Sequence, residues 1–232
     1  MVLPPVATAL FKPDHDRPVH LPERIIRIVF PAAVAILYYI SLFPVIGYDR
    51  WLLLGGLMLA YVIPPAGKET VIPLGIALGF PWWLMAFSIA LLDIVAGVFM
   101  ALNFSVALKI PFLGGWIKTF IGNGEQFFRK RPWLEHYYFI GVVLFVMFPL
   151  QGSGGIGATL VGRMIGLSPG RVILAISIGA LTGCAIIALG AEVIRELILM
   201  NITLGITVTA GVIITLLGAY AFYRYRQKKT GD

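Results

Sequence analysis

A handful of polar side chains and glycines lie inside otherwise apolar stretches of this sequence, where their types would let them bind or exchange charge. Glu69 and Asp93 are carboxylates able to take up and release a proton, and Lys68 is an ammonium able to neutralise an anion. Arg163 adds a guanidinium suited to phosphate or carboxylate. Gln151 and Ser153 supply neutral donors and acceptors, while Gly67, Gly152, Gly154 and Gly155 let a ligand approach the backbone closely. An ionised carboxylate at mid-depth in a bilayer costs at least about 2.5 kcal/mol unless it is paired or hydrated. Glu69 and Asp93 are therefore the first candidates for proton or substrate binding. Each residue also has a plainer use. Glu69 can pair with Lys68 or cap exposed N–H groups, Asp93 can stay protonated and bond a neighbouring helix, Gln151 and Ser153 can satisfy broken backbone, and Arg163 can anchor lipid head groups.

Other chemistries lack the residues they need. His15, His20 and His136 fall in polar segments without carboxylate or thiolate partners at ligand spacing, and Cys184 is the only cysteine. There is no phosphate loop, no nucleophile elbow and no His-Glu-x-x-His motif. The expectation is a protein that is not an enzyme and uses neither metal nor cofactor.

The elements that must position these residues follow from composition. Of 232 residues, 59% are hydrophobic and 12% charged, and the formal net charge is +7. The mean hydropathy is +0.92. That much apolar surface exceeds what one globular core buries, so lipid must cover the rest. The basic residues lie in short segments between apolar runs, which points to a membrane surface and away from nucleic acid. Four continuous apolar runs are long enough to cross about 30 Å of hydrocarbon: Ile28 to Val45, Trp82 to Phe104, Val172 to Leu189 and Ile202 to Tyr223. Two others are broken. Trp51 to Phe80 is interrupted at Pro64-Pro65-Ala66-Gly67-Lys68-Glu69, and Tyr137 to Leu167 at Pro149-Leu150-Gln151-Gly152-Ser153-Gly154-Gly155. The pieces Trp51 to Ile63 and Thr70 to Phe80 reach only about 20 and 16 Å as helices, too short to cross alone. Re-entrant hairpins, each entering and leaving on one side, fit these lengths.

With a cytoplasmic N-terminus and two non-crossing hairpins, 15 of the 18 lysines and arginines fall on the inner side; Arg50 and Arg195 lie outside and Lys68 at a tip. The two halves share one order: short helix, break, short helix, proline-initiated turn, full span. Gly79-Phe80-Pro81 precedes one span, and Gly166-Leu167-Ser168-Pro169 the other. The expected fold is an all-α integral membrane protein, an inverted repeat of re-entrant helical hairpin plus spanning helix, with about four full transmembrane helices and two re-entrant hairpins. Residues 1–24 form a cytoplasmic segment, and 25–223 a single transmembrane domain. Within it lie repeat one (51–104), an interfacial connector (105–136) and repeat two (137–190); 224–232 is a basic cytoplasmic tail. The connector carries Phe112, Leu113, Trp116, Ile117, Phe120 and Ile121 at helical spacing, which suits either the membrane interface or an ordinary helix against the bundle.

The segments from Pro64 to Gly75 and from Phe148 to Ala158, reading PPAGKETVIPLG and FPLQGSGGIGA, resemble the small multidrug export protein family, in a version that looks archaeal. That family is similar in plan to the DedA (VTT) superfamily of paired re-entrant hairpins, whose members are linked to lipid or lipid-phosphate translocation and proton-motive force. Two positions depart from the family pattern. Gly67 and Glu69 stand where a Glu-x-Arg is usual, and Gln151-Gly152-Ser153-Gly154 replaces Pro-Gly-Thr-Gly. The resemblance implies a secondary transporter or lipid flippase in a cell membrane. It would be proton-coupled and would move an amphiphilic or lipid-phosphate substrate through a midplane site between two tips. Two alternatives are an exporter of cationic hydrophobic compounds and a non-transporting scaffold. Expected partners are membrane lipid, the small amphiphilic substrate and protons, with no nucleic acid. Gly205, Gly211 and Gly218 leave a homo-oligomer open.

Overall fold

The computed structural model describes residues 21–63, 66–103, 135–149, 152–165 and 167–203, with scattered positions between 205 and 218. Seven helices run through the described residues: α1 (Leu21–Ile46), α2 (Tyr48–Val62), α3 (Lys68–Ala77), α4 (Trp82–Leu102), α5 (Glu135–Met147), α6 (Gly155–Met164) and α7 (Pro169–Met200). No strand occurs among them. Three are long and apolar enough to cross a bilayer: Ile26–Ile46 within α1, α4, and α7. Large aliphatic and aromatic side chains such as Ile36, Leu37, Leu59, Trp83, Ile140 and Ile186 stand exposed on the outer surface, as lipid contact requires. The chain is a membrane protein. The fourth predicted span, Ile202 to Tyr223, lies for the most part outside the described residues, as do nearly all of the connector 105–136 and the whole 224–232 tail.

α2, α3 and α6 hold 15, 10 and 10 residues. At 1.5 Å per residue they reach about 22, 15 and 15 Å, each short of the hydrocarbon thickness. The starts of α3 and α4 at residues 68 and 82 recur at 155 and 169 for α6 and α7, a constant offset of 87. The offset extends to detail. Both α3 and α6 close with the N–H of the second residue past the cap returning to the third-last helical carbonyl: Phe80 to Gly75 O at 3.1 Å and Leu167 to Gly162 O at 2.9 Å. Gly79 takes φ +90° to make the first of these turns, which an L side chain resists. A Cβ on Gly75 would strike Met85, and one on Gly162 would strike Val172, again 87 apart.

Packing exchanges partners between the halves. α3 packs more extensively on α7 than on its own α4, and α6 more on α4 than on its own α7, while α4 and α7 share the largest interface. α7 meets α5 through small residues. A Cβ on Gly179 would lie 2.6 Å from Val143 O, and one on Gly183 would lie 2.9 Å from Met147 Cα. α1 lies at the periphery, with 6% of its span buried against 56% for α4. It is tied on by Tyr38 to Ser88 at 2.8 Å, and by Tyr39 stacked on Trp51 with ring centroids 4.4 Å apart.

Several boundaries differ from the sequence expectation, two of them for a clear physical reason. α3 starts at Lys68 and not Thr70, because Gly67 serves as the N-cap and the Thr70 hydroxyl, in the first turn, accepts the Gly67 N–H at 3.1 Å. α7 continues past Leu189 to Met200, since Gly190 is followed by the good helix formers Ala191, Glu192, Arg195, Glu196 and Leu197, with an Arg195–Glu192 pair at 3.1 Å. Gly183→Leu is expected to separate α5 from α7 and lower the melting temperature in detergent, an overpacking cost of about 1–3 kcal/mol. Gly190, around which a Cβ would meet nothing within 4 Å, should tolerate alanine with unchanged or higher stability in the same thermal scan.

Candidate functional site

The two breaks lie side by side, joined by two links. Asp93 is 2% exposed in the middle of α4. Its Oδ1 accepts the Tyr61 hydroxyl at 2.5 Å from the last turn of α2, and the Gly155 N–H at 3.0 Å from the first residue of α6. Three elements, one from each side of the two breaks and one long helix, therefore meet on one carboxylate oxygen. An N–H at a helix start has no intrahelical acceptor and carries partial positive charge, so an acidic group is its natural partner. Oδ2 is buried and has no hydrogen-bond partner among the described residues.

Glycines make this approach feasible. A Cβ on Gly155 would overlap the carbonyl oxygen of Asp93 and come within 2.7 Å of the Gly97 nitrogen; one on Gly154 would lie 2.5 Å from Asp93 Oδ1 and 3.1 Å from the Tyr61 hydroxyl. α6 is thereby laid against α4 at backbone contact, and Thr159 secures it by donating to Gly155 O at 2.7 Å and Gly97 O at 3.2 Å.

The second link is the counterpart of the first. Lys68, the first residue of α3, is 2% exposed, and its Nζ donates to the backbone oxygen of Val146 near the end of α5. By the 87-residue offset, the pairing of the α2 end with the α6 start corresponds to that of the α5 end with the α3 start. Lys68 occupies the position equivalent to Gly155, and Ala180, fully buried, that equivalent to Asp93. One link thus uses a carboxylate and the other an ammonium. Cys184 on α7 is fully buried.

The remaining predicted residues are distributed around these links. Glu69 folds back so that its carboxylate lies over Gly67, where a side chain would collide with it. Gly152 adopts φ +85°, and Ser153, 1% exposed, spans the second break by donating to Phe148 O at 2.7 Å. Arg163 stands apart: eight residues along α6 from Gly155, about 12 Å by helical rise, it donates to Leu167 O at 3.2 Å in the turn before α7. Gln151 lies outside the described residues. Among the described residues no group of three His, Cys, Asp or Glu could hold a metal. Tyr61 and Thr159 were not singled out by sequence, and Gly155 was read as room for a ligand, whereas it takes the Asp93 carboxylate on its N–H. The available signal was a hydroxyl-bearing aromatic three residues before Pro64, within reach of whatever the break faces.

A family model described as "Putative small multi-drug export protein" matches residues 69–186, more than half of the chain. The chain belongs to that family. Among curated proteins and among solved structures nothing matches. In this small multidrug export family member the matched region runs from the first turn of α3 to the middle of α7, and so contains Asp93, the second break and Gly155.

A double-mutant cycle tests the junction. Tyr61→Phe and Asp93→Asn should each destabilise the folded protein in detergent, with a coupling energy of about 1 kcal/mol or more, since a buried hydrogen bond to a charged acceptor contributes about 1.5–3 kcal/mol and an average interhelical bond in a membrane about 0.6. Additive effects would show that the two side chains do not interact.

Proposed function

We propose that this chain is a proton-coupled secondary transporter of amphiphilic molecules, working at the junction of the two breaks, with Asp93 as its central titratable group. The observation that carries this reading is a carboxylate 2% exposed in a membrane protein, with one oxygen held by two donors and the other without any. A group serving only as structural glue would have both oxygens engaged, because an unsatisfied buried oxygen is costly. The oxygen left over is a place for a proton or a cationic group to bind.

In this reading the short helix pairs α2–α3 and α5–α6 are re-entrant hairpins entering from opposite faces, and the two halves form an inverted repeat. Their lengths, the 87-residue offset and the exchange of packing partners support it. Rocking of α3 and α6 on the opposite long helices would open the junction to one side and then the other. Glu69, half-buried and next to the break, relays protons toward Asp93, and the abundance of basic residues in the predicted inner loops supports cytoplasmic termini at the cell membrane. The substrate class remains an amphiphile: a lipid phosphate drawn to Lys68, or, as membership of the export family favours, a cationic hydrophobic compound drawn to Asp93.

Purified protein in proteoliposomes with an imposed pH gradient should drive accumulation of a fluorescent cationic amphiphile or translocation of a fluorescent lipid phosphate. Asp93→Asn should lower gradient-driven flux at least about ten-fold, the scale of one lost essential group in a rate. Full flux in the Asp93→Asn variant would remove the proton-carrier role. Absence of wild-type flux for both probes would leave a scaffold.

A further inference from the structure

Two oppositely charged side chains are buried at the junction, and they do not pair with each other. Among the described residues the ion pair recorded is Arg195–Glu192, far along α7. Lys68 instead donates to a neutral carbonyl, Val146 O, which occupies one of the three donors of its ammonium group. Asp93 accepts from two neutral donors on Oδ1 and leaves Oδ2 bare. Both are 2% exposed, and one stretch of α7 reaches both links: a Cβ on Gly97, one turn from Asp93, would meet Ile176 and Gly155, and a Cβ on Gly179, three residues beyond Ile176, would meet Val146, whose oxygen Lys68 holds. Glu69, the nearest alternative counter-charge, lies over Gly67 and makes no ion pair with Lys68. Uncompensated charges of either sign are expensive in hydrocarbon, and removing one partner of a buried pair leaves the other exposed to that cost. Here each charge has unused bonding capacity and a counter-charge it does not reach.

We propose that Lys68 and Asp93 are the two poles of one binding site for a dipolar head group, with an N–H-bearing cation on Asp93 Oδ2 and an anionic group on Lys68 Nζ. The site rests on the reading of the junction as the place where substrate binds, and it narrows the substrate class from any amphiphile to one whose polar end carries both signs. The offset between the halves explains why the poles differ. Equivalent positions hold Asp93 and Ala180 on the long helices, and Gly155 and Lys68 at the short-helix starts, so the repeat has become acidic at one link and basic at the other. A ligand with a single charge would satisfy one pole and leave the other uncompensated. A cation lacking N–H could not complete the hydrogen bond that Oδ2 lacks.

Equilibrium binding to the purified full chain in an uncharged detergent tests this without any transport step. The probes share one alkyl tail and differ in head group: phosphoethanolamine, α-amino carboxylate, phosphocholine, phosphate and amine. The expected order has the two N–H-bearing dipolar probes at least about ten-fold tighter than the other three, a difference of about 1.4 kcal/mol. Their order relative to one another identifies the anion as phosphate or carboxylate. Lys68→Met should reduce the dipolar probes to the affinity of the alkylamine, and Asp93→Asn to that of the alkyl phosphate. A wild-type order in which a singly charged probe or phosphocholine binds as tightly as the dipolar probes would overturn the proposal, and needs no variant to fold. An order unchanged by either substitution in a folded variant would overturn it equally. Loss of the proton-carrier role in flux assays would leave the binding order intact, so the two readings fail separately.

Discussion

The fold turns on one shared oxygen. Asp93 Oδ1 receives the end of α2 through Tyr61 and the start of α6 through Gly155, and it does so from the middle of α4. Removing the carboxylate would leave a buried hydroxyl, a free helix-start N–H and a backbone contact at Gly155 designed for nothing else. In a hydrocarbon surrounding, those groups have no water to turn to. The short helices are too short to be held by the bilayer as independent spans, so their ends must be held by protein, and this junction is where that happens.

The arrangement also explains the exchange of partners. If each short helix packed chiefly on its own long helix, the halves would be separable units. Instead α6 is laid on α4 by glycine contacts at residues 97 and 155, and α3 lies on α7, so neither half is complete alone. The 87-residue offset preserves capping turns and glycine contacts while letting the charged positions diverge, from Asp93 and Gly155 at one link to Ala180 and Lys68 at the other. Architecture tolerates that divergence because the contacts that set geometry are made by backbone and glycine, which do not depend on the charges. Chemistry at the junction can therefore change without rebuilding the bundle.

Much of this was legible in the residues. Pro64-Pro65 and the Gly152 to Gly155 cluster mark the breaks because proline and glycine are the poorest helix formers, and Asp93 stands out because a carboxylate in an apolar run is costly. What escaped was partnership. Tyr61 reads as an ordinary amphipathic aromatic, and Gly155 as room for a ligand, although the close approach it allows is that of the Asp93 backbone. Lys68 reads as part of an irregular bend but sits in the first helical turn, since Gly67 with Thr70 starts α3 two residues early. The apolar run from Val172 to Leu189 is shorter than the helix that contains it, because the polar but helix-forming residues beyond Gly190 carry α7 on. Spacing along one segment cannot reveal which distant segment supplies a donor.

The central claim is that the Asp93 carboxylate binds the start of α6. Nuclear magnetic resonance of the Gly155 amide in the detergent-solubilised protein tests it most directly. The account predicts a strongly downfield amide proton that moves upfield in Asp93→Asn and shifts again in Tyr61→Phe, as the shared oxygen redistributes its hydrogen bonds. A Gly155 amide at an ordinary position, indifferent to both substitutions, would contradict it.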